Sequence, residues 1–228
     1  MASTMILGIL WDMDGVLVDT GELHFLTWKS TLALYGIPFE RAFFDRTFGM
    51  NNWGVLEELF GELPEKAWCE KFICQKEAAF RDQVRGSVTA LPGVVAVLNR
   101  FHQQGLKQAI ATSAPEENMR LILSELGLAA FFDAAISAAN WPGKPNPMVF
   151  LEAAKALCLP PERCLVFEDA IAGIEAAHRA GMPCIAITTT NTAADLAAAE
   201  CVIDHYDQLG GCQLDSINTL IKHAQGLK

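Results

Sequence analysis

Two carboxylates, Asp12 and Asp14, stand two residues apart at the end of a short apolar run over 5–10. Such a run reads as a buried strand, and Gly15 lets the chain turn directly after the acids. Close carboxylates repel each other, and a cation between them relieves that repulsion. Three more groups that can do chemistry follow later apolar runs: Thr112 with Ser113, then Lys144, then Glu168 with Asp169. Strands running parallel would bring all four to one edge of a sheet, where open α/β sheets bind their ligands. Acids to hold a divalent cation, a hydroxyl donor and a lysine make up a set suited to phosphoryl transfer. A carboxylate in such a set can attack phosphorus, splitting one hard step into two easier ones.

Taken singly, each group has a plainer use. A Thr-Ser pair after a strand serves turns and helix caps. A loop lysine is ordinarily solvated, and Glu168-Asp169 could complement a helix dipole. Together, in this order along the chain, the groups point to chemistry.

The elements that must position these groups are legible in outline. From 19 to about 85, apolar residues recur at near-helical spacing with no β-branched alternation, which predicts a bundle of four or five helices. These are expected over 23–35, 39–48, 54–60 and 64–83. From 92 onward, strands are expected over 106–112, 132–138, 164–167, 184–188 and 201–203. The helices between them are expected over 93–104, 115–126, 148–158 and 171–180, with a shorter one over 192–199 and a closing one over 214–223. Alternation of this kind implies βαβ units and a doubly wound, Rossmann-like parallel sheet. The expected domains are a catalytic core, 1–18 with 87–228, and a helical cap, 19–86.

Composition limits the partners. The chain has 228 residues and a formal net charge of −10, which argues against nucleic acid and anionic membrane. Its seven cysteines are odd in number and lack a Cys-x-x-Cys pair, so they are expected to be reduced structural thiols. The first apolar run is too short for a signal peptide, and no stretch approaches the roughly 18 apolar residues of a membrane span. A cytoplasmic location is expected.

Four segments resemble the motifs of the haloacid dehalogenase-like superfamily. They are Asp-Met-Asp-Gly-Val-Leu-Val-Asp-Thr (12–20), Ala-Thr-Ser-Ala (111–114), Gly-Lys-Pro-Asn-Pro (143–147) and Val-Phe-Glu-Asp-Ala-Ile-Ala-Gly-Ile-Glu-Ala-Ala (166–177). The helical insert resembles the cap of the phosphoglycolate phosphatase and β-phosphoglucomutase branch. The resemblance implies Asp12 as nucleophile and Asp14 as general acid/base with its backbone carbonyl on Mg²⁺. It implies Thr112, helped by the Ser113 backbone, as holder of the phosphoryl group, and Lys144 as the neutralising cation. Asp169 would bind the metal, and Glu168 would support it directly or through water. An acid at position 14 favours phosphate esters over C–halogen or C–P bonds, because a leaving ester oxygen needs a proton.

The cap is expected to choose a small phosphorylated metabolite as substrate. Thr20 and His24 lie where the chain leaves the first motif, and both His24 and Lys76 match residues of β-phosphoglucomutase-like relatives. Residues 49–52 read as a turn that presents amides to the substrate through Asn51 and Asn52. Trp28, Phe43, Phe44, Phe48 and Trp53 read as cap core. Three functions compete: a Mg²⁺-dependent phosphatase, a phosphomutase, and a non-catalytic binding protein with a relict site. Phosphatase leads over mutase because Phe48, Asn52 and Glu116 stand where the mutases carry basic or polar phosphate-binding residues.

Overall fold

The computed structural model describes residues 5–209. Six parallel strands form one sheet in the order β3-β2-β1-β4-β5-β6: β1 (Gly8–Trp11), β2 (Lys107–Thr112), β3 (Ala134–Ser137), β4 (Cys164–Glu168), β5 (Cys184–Ile187) and β6 (Cys201–Ile203). This is the doubly wound arrangement the alternation predicts, with β1 and β4 side by side where the strand order reverses. Their register pairs Trp11 with Phe167, and the Asp12 amide continues the pairing to the Phe167 carbonyl at 3.0 Å. Asp12 and Glu168 therefore leave the sheet at adjacent positions.

Period-two alternation divides the strand residues between two faces. Ile9, Trp11, Ile110, Leu165 and Phe167 join one core with α5 (Val94–Gln103) and α6 (Glu116–Leu126). Trp11 stacks on Phe167 there, with ring centroids 4.3 Å apart. Leu10, Ala109, Ala111, Val166 and Ala186 face the opposite way, onto α7 (Met148–Ala156) and α8 (Ile171–Arg179). The small residues on this second face let those helices lie close to the sheet.

Between β1 and α5 the chain forms α1 (Gly21–Ala33), α2 (Arg41–Thr47), α3 (Asn52–Phe60) and α4 (Lys66–Val84). These four helices enclose their own core of Phe25, Trp28, Leu32, Phe44, Leu56 and Phe72, with Phe43, Phe48 and Trp53 packed against it. Each fully buried aromatic contributes on the order of 1.5–3 kcal/mol by the hydrophobic effect. The far end of α4 behaves differently, for Phe80 and Val84 pack into the sheet core instead. The two connections between the helices and the sheet run side by side, joined by a bridge between Val18 and Ala90.

Two details differ from expectation. Residues 192–199 form successive hydrogen-bonded turns rather than a helix. The Thr192 hydroxyl donates to Asp195 at 2.6 Å, the kind of local side-chain bond that competes with helix propagation. Phe132 and Asp133 lie outside β3, and the Asp133 side chain accepts from the Gln108 amide at 2.8 Å. The closing helix expected over 214–223, and Cys212, lie outside the described residues. None of the described cysteines forms a disulfide. Among the described residues, no helix is long and apolar enough to cross a membrane.

Candidate active site

The carboxyl ends of β1, β2 and β4 and the loop after β3 converge on one buried cluster. Lys144 Nζ donates to Asp12 Oδ1 and to Glu168 Oε1, each at 2.7 Å. Burial works against its charge, but those two carboxylates outweigh burial and hold the ammonium above the ordinary lysine range. Burial pushes the Asp12 carboxyl up to about 7, opposed by Lys144 and aided by Glu168 and Asp14. Asp169 is raised by burial and then by Glu168 and Asp12. Three buried carboxylates thus face one lysine, an excess of negative charge, and burial adds its own upward push on Asp12 and Asp169.

That excess has the chemistry of a cation site. Asp12, Glu168 and Asp169 can bring one carboxylate oxygen each within 4.8 Å of one another, all fully buried. Asp169 Oδ1 is buried without a hydrogen-bond partner. An orphaned acceptor of this kind is costly unless something satisfies it. Three carboxylates with no His or Cys donor suit a hard cation such as Mg²⁺ rather than zinc.

Two glycines make the cluster sterically possible. Gly15 has φ +80°, and a Cβ there would lie 1.9 Å from Asp169 Oδ2. A Cβ on Gly173, in α8, would lie 1.8 Å from Glu168 Oε1. Asp169 is held further by Thr190, whose hydroxyl donates to Oδ2, and by Asn191, whose side chain donates to the Asp169 carbonyl at 2.9 Å. Glu168 Oε2 accepts from the Asp169 and Ala170 amides at 2.8 and 3.0 Å. Glu168 thus has both oxygens engaged, whereas Asp169 keeps one open.

The Asp14 carboxylate turns away from this cluster. It accepts from the Thr20 hydroxyl, and His24 Nε2 lies 3.5 Å from it. Desolvation works upward on Asp14, but His24 and Thr20 outweigh it and hold the carboxyl below its usual range. His24 stacks on Phe80 at 3.9 Å between centroids, and its Nδ1 meets Lys76 Nζ at 3.0 Å. Lys76 in turn donates to Glu77 Oε1 at 2.8 Å. Glu77 also accepts from Asn52 at 2.8 Å and from Asn118. Burial alone would raise Glu77, yet Lys76, His24 and Asn118 hold it down to about 2.

A cavity of about 50 Å³ separates the cluster from the helical insert. Asp12, Asp14, Thr112 and Ser113 line it from the sheet, and His24, Phe48, Asn52, Lys76 and Glu77 line it from the insert.

A family model described as haloacid dehalogenase-like hydrolase matches residues 9–187. The chain belongs to this family. Among curated relatives, fructose-1-phosphate phosphatase YqaB of Escherichia coli is 30% identical over 179 residues, 78% of this chain and 94% of the relative. The β-phosphoglucomutase of Bacillus subtilis is 32% identical over 182 residues, 76% of this chain and 80% of that protein. Among solved structures, β-phosphoglucomutase from Clostridium difficile superposes with a TM-score of 0.86 at 25% identity, covering 97% of this chain and 100% of that one.

Within the haloacid dehalogenase-like frame, the strand-end residues gather as their order in the chain implied. Thr112 is buried at the cavity wall, its Oγ1 accepting from the Ala114 amide at 3.1 Å. Several insert residues have other partners than expected. Thr20 bonds Asp14 and does not line the cavity. The Asn51 side chain caps α3 by accepting from Gly54, and it donates across to the Ala138 and Trp141 carbonyls at 3.2 and 2.8 Å. Ser113 ties the sheet to the insert through the Gly49 carbonyl at 2.8 Å. Glu116 opens α6 facing outward, paired with Arg120 one helical turn on, and Ala114 and Pro115 line the cavity in its place.

The open oxygen on Asp169 gives a ranked expectation. Asp169→Ala should raise the Mg²⁺ concentration needed for half-maximal activity far more than Glu168→Ala does. A Mg²⁺ titration of both variants checks this, and equal shifts would contradict the ranking.

Proposed function

We propose that this chain is a Mg²⁺-dependent phosphatase of small phosphorylated metabolites, sugar phosphates among them, acting through an aspartyl-phosphate on Asp12. The observation that carries this is the buried set of Asp12, Lys144, Glu168 and Asp169 beside Asp14, facing a cavity under the helical insert. A relict site would have no reason to keep four charges buried at this desolvation cost.

Lys144 fixes one oxygen of Asp12 and leaves the other to attack phosphorus. The ester P–O bond breaks, and its electron pair leaves with the ester oxygen, which takes the proton of Asp14. An ester dianion buried beside Asp14 raises the proton affinity of that carboxylate, which supplies the acid form. Asp14 then removes a proton from water as the water oxygen attacks the phosphoryl group. The bond to Asp12 breaks, and inorganic phosphate and the free carboxylate result. Thr112 and the Ser113 amide hold the phosphoryl oxygens, and Lys144 offsets their charge. A Mg²⁺ ion held by Asp12, Asp169, the Asp14 carbonyl and Glu168, directly or through water, would draw further charge from those oxygens.

Residues 19–86 act as a cap over this site. The cavity of about 50 Å³ would widen to admit a metabolite if the cap swings away from the sheet. The paired connections at Val18 and Ala90 are where that motion would hinge. Asp14→Asn is expected to lower kcat by about 10²–10⁴ for alkyl esters. The loss should be smaller for an aryl phosphate, whose leaving group needs less protonation.

Phosphate release from a panel of phosphorylated metabolites, with Mg²⁺ and with a chelator, tests the proposal. The mutase alternative is tested by supplying β-glucose 1-phosphate with a bisphosphate primer. Free phosphate is the expected product, and efficient glucose 6-phosphate formation with little phosphate would overturn hydrolysis.

A further inference from the structure

Glu77 is a buried carboxylate that the chemistry above does not use. It sits on the cap wall of the cavity, next to Lys76 in the chain and bonded to it. Both side chains are almost wholly buried, at 4% and 2% exposure. Of the cavity residues contributed by the cap, Lys76 and Glu77 are the lysine and the carboxylate. Two polar side chains lock Glu77 in place: Asn52 from α3 donates to Oε1, and Asn118 from α6 donates to Oε2. Arg81 in turn donates to Asn118 Oδ1 at 2.9 Å, so the lock is anchored at both the cap and the sheet side. Lys76 is wedged between Trp28 and Phe80, 5.2 and 5.4 Å from their centroids, and cannot leave Glu77 without disturbing that packing.

We propose that Glu77 cancels the cap lysine and so sets specificity, selecting phosphate esters whose remaining part is uncharged over those carrying a second anion. The inference rests on the phosphatase reading and adds the substrate class. A lone buried lysine would attract a carboxylate or second phosphate on the far end of the ester. With Glu77 bonded to it, that lysine offers a donor but no net charge. A second anion would then meet Glu77 and Asp14 in a desolvated cleft, where like-charge contacts are costly. Hydroxyl groups of a polyol or sugar carry no charge for these acids to repel. Glu77 acts through Lys76 and is a positioning residue, not one that takes part in bond making.

The test measures binding of two esters of similar size, glycerol 3-phosphate and phosphoglycolate, by calorimetry with Mg²⁺ present. The carrier is the Asp12→Asn protein, so that binding is read without turnover. The expected preference for the uncharged remainder is at least about tenfold. Adding Glu77→Gln should erase most of that preference, and adding Lys76→Met instead should widen it. A merely structural role would shift both esters alike, and would not move the ratio in opposite directions. A ratio that stays within about twofold of the starting one in both double variants overturns the proposal. Should Glu77→Gln fail to fold, as its melting curve would reveal, the Lys76→Met ratio decides the matter alone. Phosphate release from the metabolite panel by the native protein is measured separately. Its absence would sink the phosphatase reading, while the binding ratio still reports on Glu77.

Discussion

Replacing Asp12 with Asn is expected to lower kcat by at least about 10³ while leaving the fold intact. An amide is a poor nucleophile, and the loss of covalent catalysis is not recovered by the neighbours that remain. The structure gives reason to expect no loss of stability. Burial raises the Asp12 carboxyl to about 7, so the folded state gains little from its charge. The isosteric amide removes a desolvated anion and leaves Lys144 its second partner, Glu168. The Asp12→Asn protein should therefore melt at or above the native temperature in the absence of Mg²⁺. Residual turnover above a few per cent, with the fold unchanged, would contradict the nucleophile assignment.

Lys144→Met is expected to be the most damaging substitution for stability. It removes the ammonium that lies between Asp12 and Glu168 and leaves three buried acids without a partner cation. Breaking a buried pair from one side costs about 3–5 kcal/mol. Denaturant unfolding of the metal-free protein measures this directly. Added Mg²⁺ should restore more stability to Lys144→Met than to the native chain, because the ion then meets a greater excess of negative charge. A variant as stable as the native protein without Mg²⁺ would show that the acids are already protonated or hydrated, and that Lys144 carries no such load.

The two expectations depend on residues that were legible in the sequence for a simple reason. Asp12, Thr112 and Glu168 each end or directly follow an apolar run, and in a parallel sheet such positions share one edge whatever the loops do. Lys144 and Asp169 lie within a few residues of those ends. The carboxylates also repel one another, so their grouping implies a cation without any knowledge of geometry.

The cap was legible as helices but not as a binding surface. Which residues face the cavity depends on how four helices pack together, and periodicity within each helix does not contain that. Glu77 shows the difficulty. It lies in α4, whose sequence is rich in charged residues, and it reads there as a solvated helix acid. Only the approach of Asn52 from α3 and Asn118 from α6 makes it a buried one. Glu116 depends on packing in the same way: α6 begins at that residue, and its side chain pairs outward with Arg120. Glu77, on the cavity wall itself, is a second acid that would oppose a second phosphate. Thr190 and Asn191, which hold Asp169, follow the apolar strand β5 and could have been found by the same strand-end argument. The turns at 192–199 escaped because an alanine-rich stretch favours helix, while the Thr192–Asp195 bond at its start opposes it.

The covalent step is the centre of the proposed mechanism, and it can be trapped. Native protein and a turned-over phosphate ester, mixed with Mg²⁺ and quenched with borohydride, should yield homoserine at position 12, because borohydride reduces an acyl-phosphate but not a free carboxylate. Peptide mass spectrometry locates the change. Reduction is expected at Asp12 alone, dependent on substrate and lost in a quench without it. An unmodified Asp12 during steady turnover, or reduction at Asp14 instead, would contradict it.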